Sequence, residues 1–181
     1  TFTMTDTALK SGDTSTVTIV FSEAVTGFSS DADVTAPNGS LSLMTPQATT
    51  TTVHGTADEN GSVILTAPAG STFTSVDFAS YGTPNGSAGS FSIGSCHATN
   101  SQSIVEGYLL GFSGSISISA SNGVFGDPCG GISKKLYISA TYTTPADNTT
   151  WTGTYTPTAD VEDAINVLTL GTTWTDTAGN A

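Results

Sequence analysis

At 181 residues the chain has room for one large domain or two small ones. Only 10% of it is charged against 36% hydrophobic, which excludes a charge-rich disordered polymer. Fifteen acids face three lysines and no arginine, a net charge of −12, which excludes nucleic-acid binding through phosphate neutralisation and any polybasic membrane contact.

Thr, Ser and Gly fill the polar positions, and β-branched Thr suits the solvent face of a strand, so the composition reads as all-β or nearly so. The acidity has two readings that composition does not separate: solubility by self-repulsion, or divalent cations held at carboxylates. No stretch approaches the ~20 apolar residues of a membrane helix. The chain opens in mid-pattern on Thr1-Phe2-Thr3-Met4 without a signal peptide, as expected of a segment cut from a longer protein.

The first zone runs from Thr1 to Thr52. Val17, Ile19 and Phe21 alternate with polar residues and predict a strand with one apolar face. Gly12-Asp13 and Asn38-Gly39 mark turns, and Thr49–Thr52 is β-prone but featureless.

The second zone, 53–144, carries strands at Val63–Leu65, Phe73–Phe78, Ser115–Ser119 and Leu136–Tyr142. Ile104, Val105, Tyr108 and Leu109 are spaced as one helix face, with Ser103-x-x-Glu106 as capping box and Gly111 as stop. His54 and His97 lack companions at metal-ligand spacing and read as exposed loop residues. Cys96 and Cys129 are too few for a cysteine-rich scaffold or a four-ligand zinc site. They are either two thiols or one disulfide, which would close a loop of about 34 residues, worth about 3–4 kcal/mol by chain entropy.

In the third zone, 145–181, Trp151, Gly153 and Tyr155 alternate with threonines, and Val167–Leu170 reads as a further strand before the turn-rich Thr175–Asn180. Segments of such length rarely fold alone. Joined, residues 1–52 and 145–181 have strands at sandwich spacing, so the economical organisation is one β-sandwich split by an insertion at 53–144.

Two sets of strings resemble known families. Thr5-Asp6-Thr7-Ala8-Leu9-Lys10, Phe21-Ser22-Glu23-Ala24-Val25-Thr26-Gly27-Phe28, Trp151 to Pro157 and Thr175 to Asn180 resemble the Ig-like repeats of bacterial RTX-type adhesins. In the middle zone, Ala79-Ser80-Tyr81-Gly82 and Ala120 to Cys129 with Gly131, Lys134 and Leu136 resemble the rhamnose/galactose-binding lectins of the sea-urchin-egg type, known also in latrophilins. The resemblance implies a mainly β fold, an Ig-like β-sandwich (split) with an inserted small α/β lectin domain. It places Cys96 where the usual partner of Cys129 stands, implying a disulfide. Of the family's eight cysteines only these two remain, and the arginine after Tyr-Gly is Thr83 here.

The resemblance also implies a sugar pocket: Asp127, Gly131 and Lys134 on one wall, Glu59 and Tyr81 on the other, with the Gly130-Gly131 backbone open to close approach and Asn122 as a further candidate contact. Glu59 is reached by counting back from Ala67-Pro68. The chemistry suits a saccharide. A carboxylate accepts from neighbouring hydroxyls, an ammonium donates to their oxygens, an aromatic ring covers the C–H face, and glycine lets the backbone approach. Each residue also has a plainer reading. Asp127-Pro128 suits a turn, Lys134 and Lys135 an edge strand, Tyr81 the core, Glu59-Asn60-Gly61 a hairpin tip, and Asn122 a turn.

The resulting expectation is a non-enzymatic carbohydrate-binding adhesin module, extracellular on a bacterial surface and monomeric as a fragment. Its partners would be rhamnose- or galactose-like glycans on host cells or in biofilm, with adhesin domains as neighbours, and it would have no nucleic-acid or membrane-inserted partner. No nucleophile elbow or phosphate loop is present, and a lysine beside Asp127 opposes a general-acid role. Sugar binding needs no cofactor. Structural calcium is the one metal considered, with Asp6, Asp176 and Asn180 as candidate ligands. The alternative is a structural spacer whose lectin-fold insert binds protein instead of sugar.

Overall fold

The computed structural model describes residues 1–159 and 166–180. The chain divides into two compact units, Thr1–Ala48 with Ala146–Ala181, and Thr49–Pro145. Among the described residues no helix is long and apolar enough to cross a membrane.

The first unit opens with β1 (Phe2–Met4), β2 (Ser15–Val20), β3 (Val25–Thr26), the one-turn α1 (Ser30–Asp33), β4 (Val34–Thr35), β5 (Gly39–Leu41) and β6 (Thr45–Pro46). The second unit follows as β7 (Thr49–Asp58), β8 (Ser62–Ala67), β9 (Thr72–Gly82), α2 (Ser101–Leu109), β10 (Gly114–Ser119), α3 (Asn122–Phe125) and β11 (Lys135–Thr144). The chain then returns to the first unit as β12 (Thr150–Pro157), β13 (Thr169–Leu170) and β14 (Thr175–Asp176).

Every strand of the returning segment pairs with one that precedes the insertion. β12 lies between β2 and β5, with Trp151 opposite Ile19 and Tyr155 opposite Ser15 on one side and opposite Leu41 on the other. β13 pairs with β4 and β14 with β3. Without the return, β2 loses its inner neighbour, so neither flank has a complete sheet.

Val17 and Ile19 point inward and are buried with Phe21, Phe28, Met44 and Tyr155, as their alternation requires. Edge-on contacts of Phe21 with Phe28 (5.5 Å) and Trp174 (4.6 Å), and of Phe28 with Trp151 (5.0 Å), complete this core. Val167–Leu170 is not one strand: only Thr169–Leu170 pair, and Val167 is exposed. The preceding Asn166 explains the late start. Its side chain donates to Thr7 O and accepts from Tyr155 Oη, and its backbone N–H also donates to Thr7 O, fixing this stretch without a regular ladder.

In the second unit β11 is the central strand of an antiparallel β7-β11-β9 sheet, and β8 pairs with β10. Thr49–Thr52 form the first four residues of β7, paired with Thr141–Thr144. Alternating Val63, Leu65 and Ala67 from β8 meet Leu136, Ile138 and Ala140 from β11 in the core. α2 seals it with Ser101, Val105 and Leu109, four apart on one face, while Tyr108 stays exposed.

The capping box does not form. Asn100 is the N-cap, so Ser103 sits a turn too late, donating to Asn100 O, and Glu106 accepts from Gln102. Gly111, at φ +78°, follows the helix end as its C-terminal stop. Neither histidine is in an open loop: His54 is exposed in the middle of β7, and half-buried His97 bonds Ser80 Oγ through Nδ1 at 2.8 Å.

Candidate functional site

Three segments distant in sequence are stitched together at one end of the β7-β11-β9 sheet. Between β7 and β8 the chain turns at Asp58–Gly61, with Asn60 in the left-handed region (φ 68°) and Gly61 N donating to Asp58 O. The turn is held from outside: Glu59 N donates to Lys134 O, Asn60 N to Ala120 O, and Ala120 N to Gly61 O. These backbone bonds bring Glu59 beside Lys134 and set both next to the segment that runs from Ala120 to the Gly126-Asp127-Pro128 corner.

The side chains then close on one another. Lys134 is 3% exposed, and its Nζ donates to Asp127 Oδ1 at 2.7 Å and lies 3.5 Å from Glu59 Oε1. Glu59 Oε2 accepts from the Lys134 backbone N–H at 3.1 Å. Tyr81 Oη donates to Asn122 Oδ1 at 2.8 Å and contacts Glu59 Oε1 at 3.3 Å, so a single hydroxyl proton is shared with the nearer amide favoured. Access is graded: Asp127 is 44% exposed and Glu59 19%.

Asp127 Oδ1 also accepts from Cys129 N. Its hydrogen bond from Lys134, helped by that backbone bond, holds the Asp127 carboxyl below the usual range. The same bond to Asp127 pushes the Lys134 ammonium up. Both stay charged across neutral pH. Burial, then the neighbouring Glu59 charge, pushes the Tyr81 phenol up to about 12, so it remains a neutral donor.

Tyr81 is a correction. Its role as the ring beneath a sugar is not available, because the side chain is wholly buried and stacks on Phe125 at 5.0 Å and 23°. Helix α2 and the segment that leads into it fix it from behind: Ser101 Oγ accepts from Tyr81 N, and Ala98 N donates to Tyr81 O. What Tyr81 contributes is a hydroxyl that positions Asn122 and Glu59.

Beside Asp127 lies a shallow depression of ≈290 Å³ between residues 97–100 and 125–128. Of the three charged residues only Asp127 lines it. Cys96 and Cys129 are disulfide-bonded, with Cα atoms 6.1 Å apart, and so tie its two rims covalently. Gly130 and Gly131 are exposed. A Cβ on Gly131 would meet nothing within 4 Å and one on Gly130 only Asp127 Oδ2 at 3.9 Å, so the protein leaves the space above them open. Thr83, in place of the family arginine, accepts from Cys96 N and donates its own backbone N–H to Cys96 O.

The calcium candidates are not assembled. Asp6 caps its own turn through Ala8 N, whereas Asp176 accepts from the Ala178 and Asn180 backbones and from Asn180 Nδ2 in a separate turn. Among the described residues no group of three His, Cys, Asp or Glu side chains is placed to hold a metal.

Fold and site together define a mainly β protein in which an Ig-like sandwich carries a second, lectin-type domain. The chain belongs to the bacterial Ig-like domain family, whose profile matches residues 1–93. That match continues past Ala48 into the second unit and stops short of the returning strands. Residues 65–142 match the D-galactoside/L-rhamnose binding SUEL lectin domain. Similar proteins include Beta-galactosidase 7 of Oryza sativa subsp. japonica, 47% identical over 72 residues that cover 39% of this chain and 9% of that protein. Beta-galactosidase 8 of Arabidopsis thaliana is 42% identical over 66 residues, 36% of this chain and 8% of that protein. The chain thus spans under a tenth of these relatives, and the likeness lies in the lectin-like region.

Proposed function

We propose that the second unit is a carbohydrate-binding module for neutral, rhamnose- or galactose-like sugars, inserted into the sandwich of an extracellular bacterial adhesin of the RTX type. The observation that carries this is Asp127. It is an ionised, half-open carboxylate whose Oδ1 is committed to a buried ammonium and whose Oδ2 takes part in neither of those bonds. Such an oxygen, with Asn122 and the exposed edge of Glu59 nearby, accepts hydrogen bonds from vicinal hydroxyls, and the Gly130-Gly131 backbone lets a ring approach. Glu59 and Lys134 sum with Asp127 to one net negative charge, which disfavours anionic sugars. The lysine that keeps Asp127 ionised removes the proton a glycosidase acid needs, so the reading is binding without hydrolysis. Attachment to host or biofilm glycans would draw its strength from many adhesin copies, since one shallow site is weak. A calcium at Asp6, Asp176 or Asn180 has no part in it.

Glycan-array and calorimetric binding with L-rhamnose and D-galactose test the reading. Asp127→Asn keeps the shape but removes the charge, and is expected to weaken binding roughly 10- to 100-fold, the worth of a charge-assisted hydrogen bond. Unchanged affinity in that variant, or no neutral glycan bound by the wild type, favours the protein-binding spacer instead.

The pH dependence has a definite sign. Asp127 is depressed, so its contribution is complete above the ordinary carboxylate range and disappears as pH falls through its lower folded value. Lys134 is raised, so its contribution is complete below the ordinary lysine range and disappears only as pH rises through its higher folded value. The part of the sugar affinity that this ion pair carries, measured by titration calorimetry, is therefore flat from about pH 5 to 9 and falls in strong acid. An inflection near neutrality would point to His97, which lines the same depression, as the group that contacts the sugar in place of this cluster.

A further inference from the structure

The outward face of the β7-β11-β9 sheet carries another concavity, separate from Asp127. Register sets His54 and Phe78 on either side of Ser139, and Thr56 and Ser80 on either side of Tyr137. Side chains alternate along a strand, so this row faces away from Leu136 and Ile138, which fill the core. The loop that follows β9 folds over the row. Asn85 and Ser92 exchange backbone hydrogen bonds of 2.9 and 3.0 Å, and Gly86, at φ +92°, lets the turn close where a Cβ would stand 2.0 Å from Ser90 O. Phe91 is thereby locked among His54 (centroids 5.7 Å), Phe78 (5.8 Å) and Tyr137 (4.9 Å).

Between this loop and β7 remains a cleft of ≈350 Å³, lined by His54, Thr56, Ser87, Ala88, Phe91 and Tyr137 among others. Its size falls in the small-ligand range of about 300–1,000 Å³. No Asp, Glu or Lys lines it, so a cationic ligand finds no carboxylate and an anionic one no ammonium. An apolar side chain would cover Phe91 and Tyr137 but leave the Thr56 and Ser87 hydroxyls and the imidazole desolvated without partners. A pyranose satisfies both halves, with its C–H face on the rings and its hydroxyls on those polar groups. The rings are already immobilised, so little ordering opposes binding.

We propose that this cleft is a second saccharide site, for one neutral pyranose, and that the unit is therefore bivalent. The cleft shares no residue with the Glu59–Asp127–Lys134 cluster, and its own sugar binding does not rest on the reading of that cluster; only the bivalence does.

The test is an amide chemical-shift titration of the full chain with L-rhamnose, D-galactose, D-mannose and N-acetylglucosamine, with indole as the apolar control. Expected are saturable shifts at His54, Thr56, Ser87 and Tyr137 with at least one sugar, persisting in Asp127→Asn. Exposed Thr56→Val keeps the side-chain shape and is expected to weaken that event about fivefold, the loss of one neutral hydrogen bond. The proposal is overturned if no sugar shifts these amides, if only indole does, if Thr56→Val leaves the affinity unchanged, or if the shifts vanish with Asp127→Asn. Loss of shifts around Asp127 alone would count against the first site and leave this one standing.

Discussion

Lys134→Met is expected to abolish measurable sugar binding while the second unit still folds. The thioether refills the slot that holds a side chain only 3% exposed, but the two carboxylates lose their common counter-charge. Asp127 Oδ1 keeps only the Cys129 N–H, and Glu59 keeps the Tyr81 hydroxyl and the Lys134 backbone N–H. With like charges now facing each other, the proton-bound form of one is favoured and its folded pKa rises above the unfolded value. That reverses the sign of the linkage. The variant's stability deficit should be largest at neutral pH and shrink as pH falls toward about 4, where the wild type begins to lose its own ion-pair contribution. Calorimetric binding at pH 7 and thermal unfolding at several pH values measure the two effects. A variant that binds rhamnose or galactose as the wild type does would remove Lys134 from the site. A deficit that grows on acidification would show that the two carboxylates do not confront each other.

How much of this was legible beforehand depends on where periodicity survives. In the sandwich, the Val17-Ile19-Phe21 alternation specifies a strand and its inner face without further help. In the second unit, β9 slips register twice against β11, between Ser139 and Ala140 and again between Thr141 and Tyr142. Its inward residues therefore run Phe73, Val76, Ala79 and Tyr81, and the outward Ser80 is buried as well, so burial does not simply alternate along β9. The string that carries Tyr81 marks its position well, but whether the residue works by its ring or by its hydroxyl is decided by α2 behind it and Phe125 beneath it. Glu59 is reached by counting along the chain. Its meeting with Lys134 depends on backbone bonds to residues 120 and 134 that no local pattern reveals. Phe91 was not foreseen, since it stands alone in a Gly- and Ser-rich run without period, and only the folded loop sets it among His54, Phe78 and Tyr137.

The chain of dependence from Gly82 to Asp127 leads to the other large expected effect. Gly82 ends β9 at φ +149°, and a Cβ there would stand 2.1 Å from Cys96 O and 2.6 Å from Cys96 C. Backbone atoms cannot swing aside as a flexible side chain can. Gly82→Ala must therefore force the β9 end and the Cys96-His97 segment apart, breaking the Gly82–His97 bridge and the Thr83 N–H bond to Cys96 O. Backbone strain with overpacking of this kind costs about 3 kcal/mol or more. Because Cys96 is bonded to Cys129, the displacement carries to the corner that holds Asp127, so affinity falls along with stability. The contrasting substitution is Gly130→Ala. Its Cβ would meet only Asp127 Oδ2 at 3.9 Å, so stability should change by less than about 0.5 kcal/mol while the methyl intrudes where a ring would approach. Both tryptophans belong to the sandwich segments, so fluorescence would report the wrong unit. Amide exchange at Leu136 and Ile138, buried in the core beneath the site, reads the second unit directly. Equal protection in Gly82→Ala and wild type would refute the claim that the Tyr-Gly string is there for a close backbone approach. Weakened sugar binding in Gly130→Ala with unaltered protection would place the ligand above the glycines.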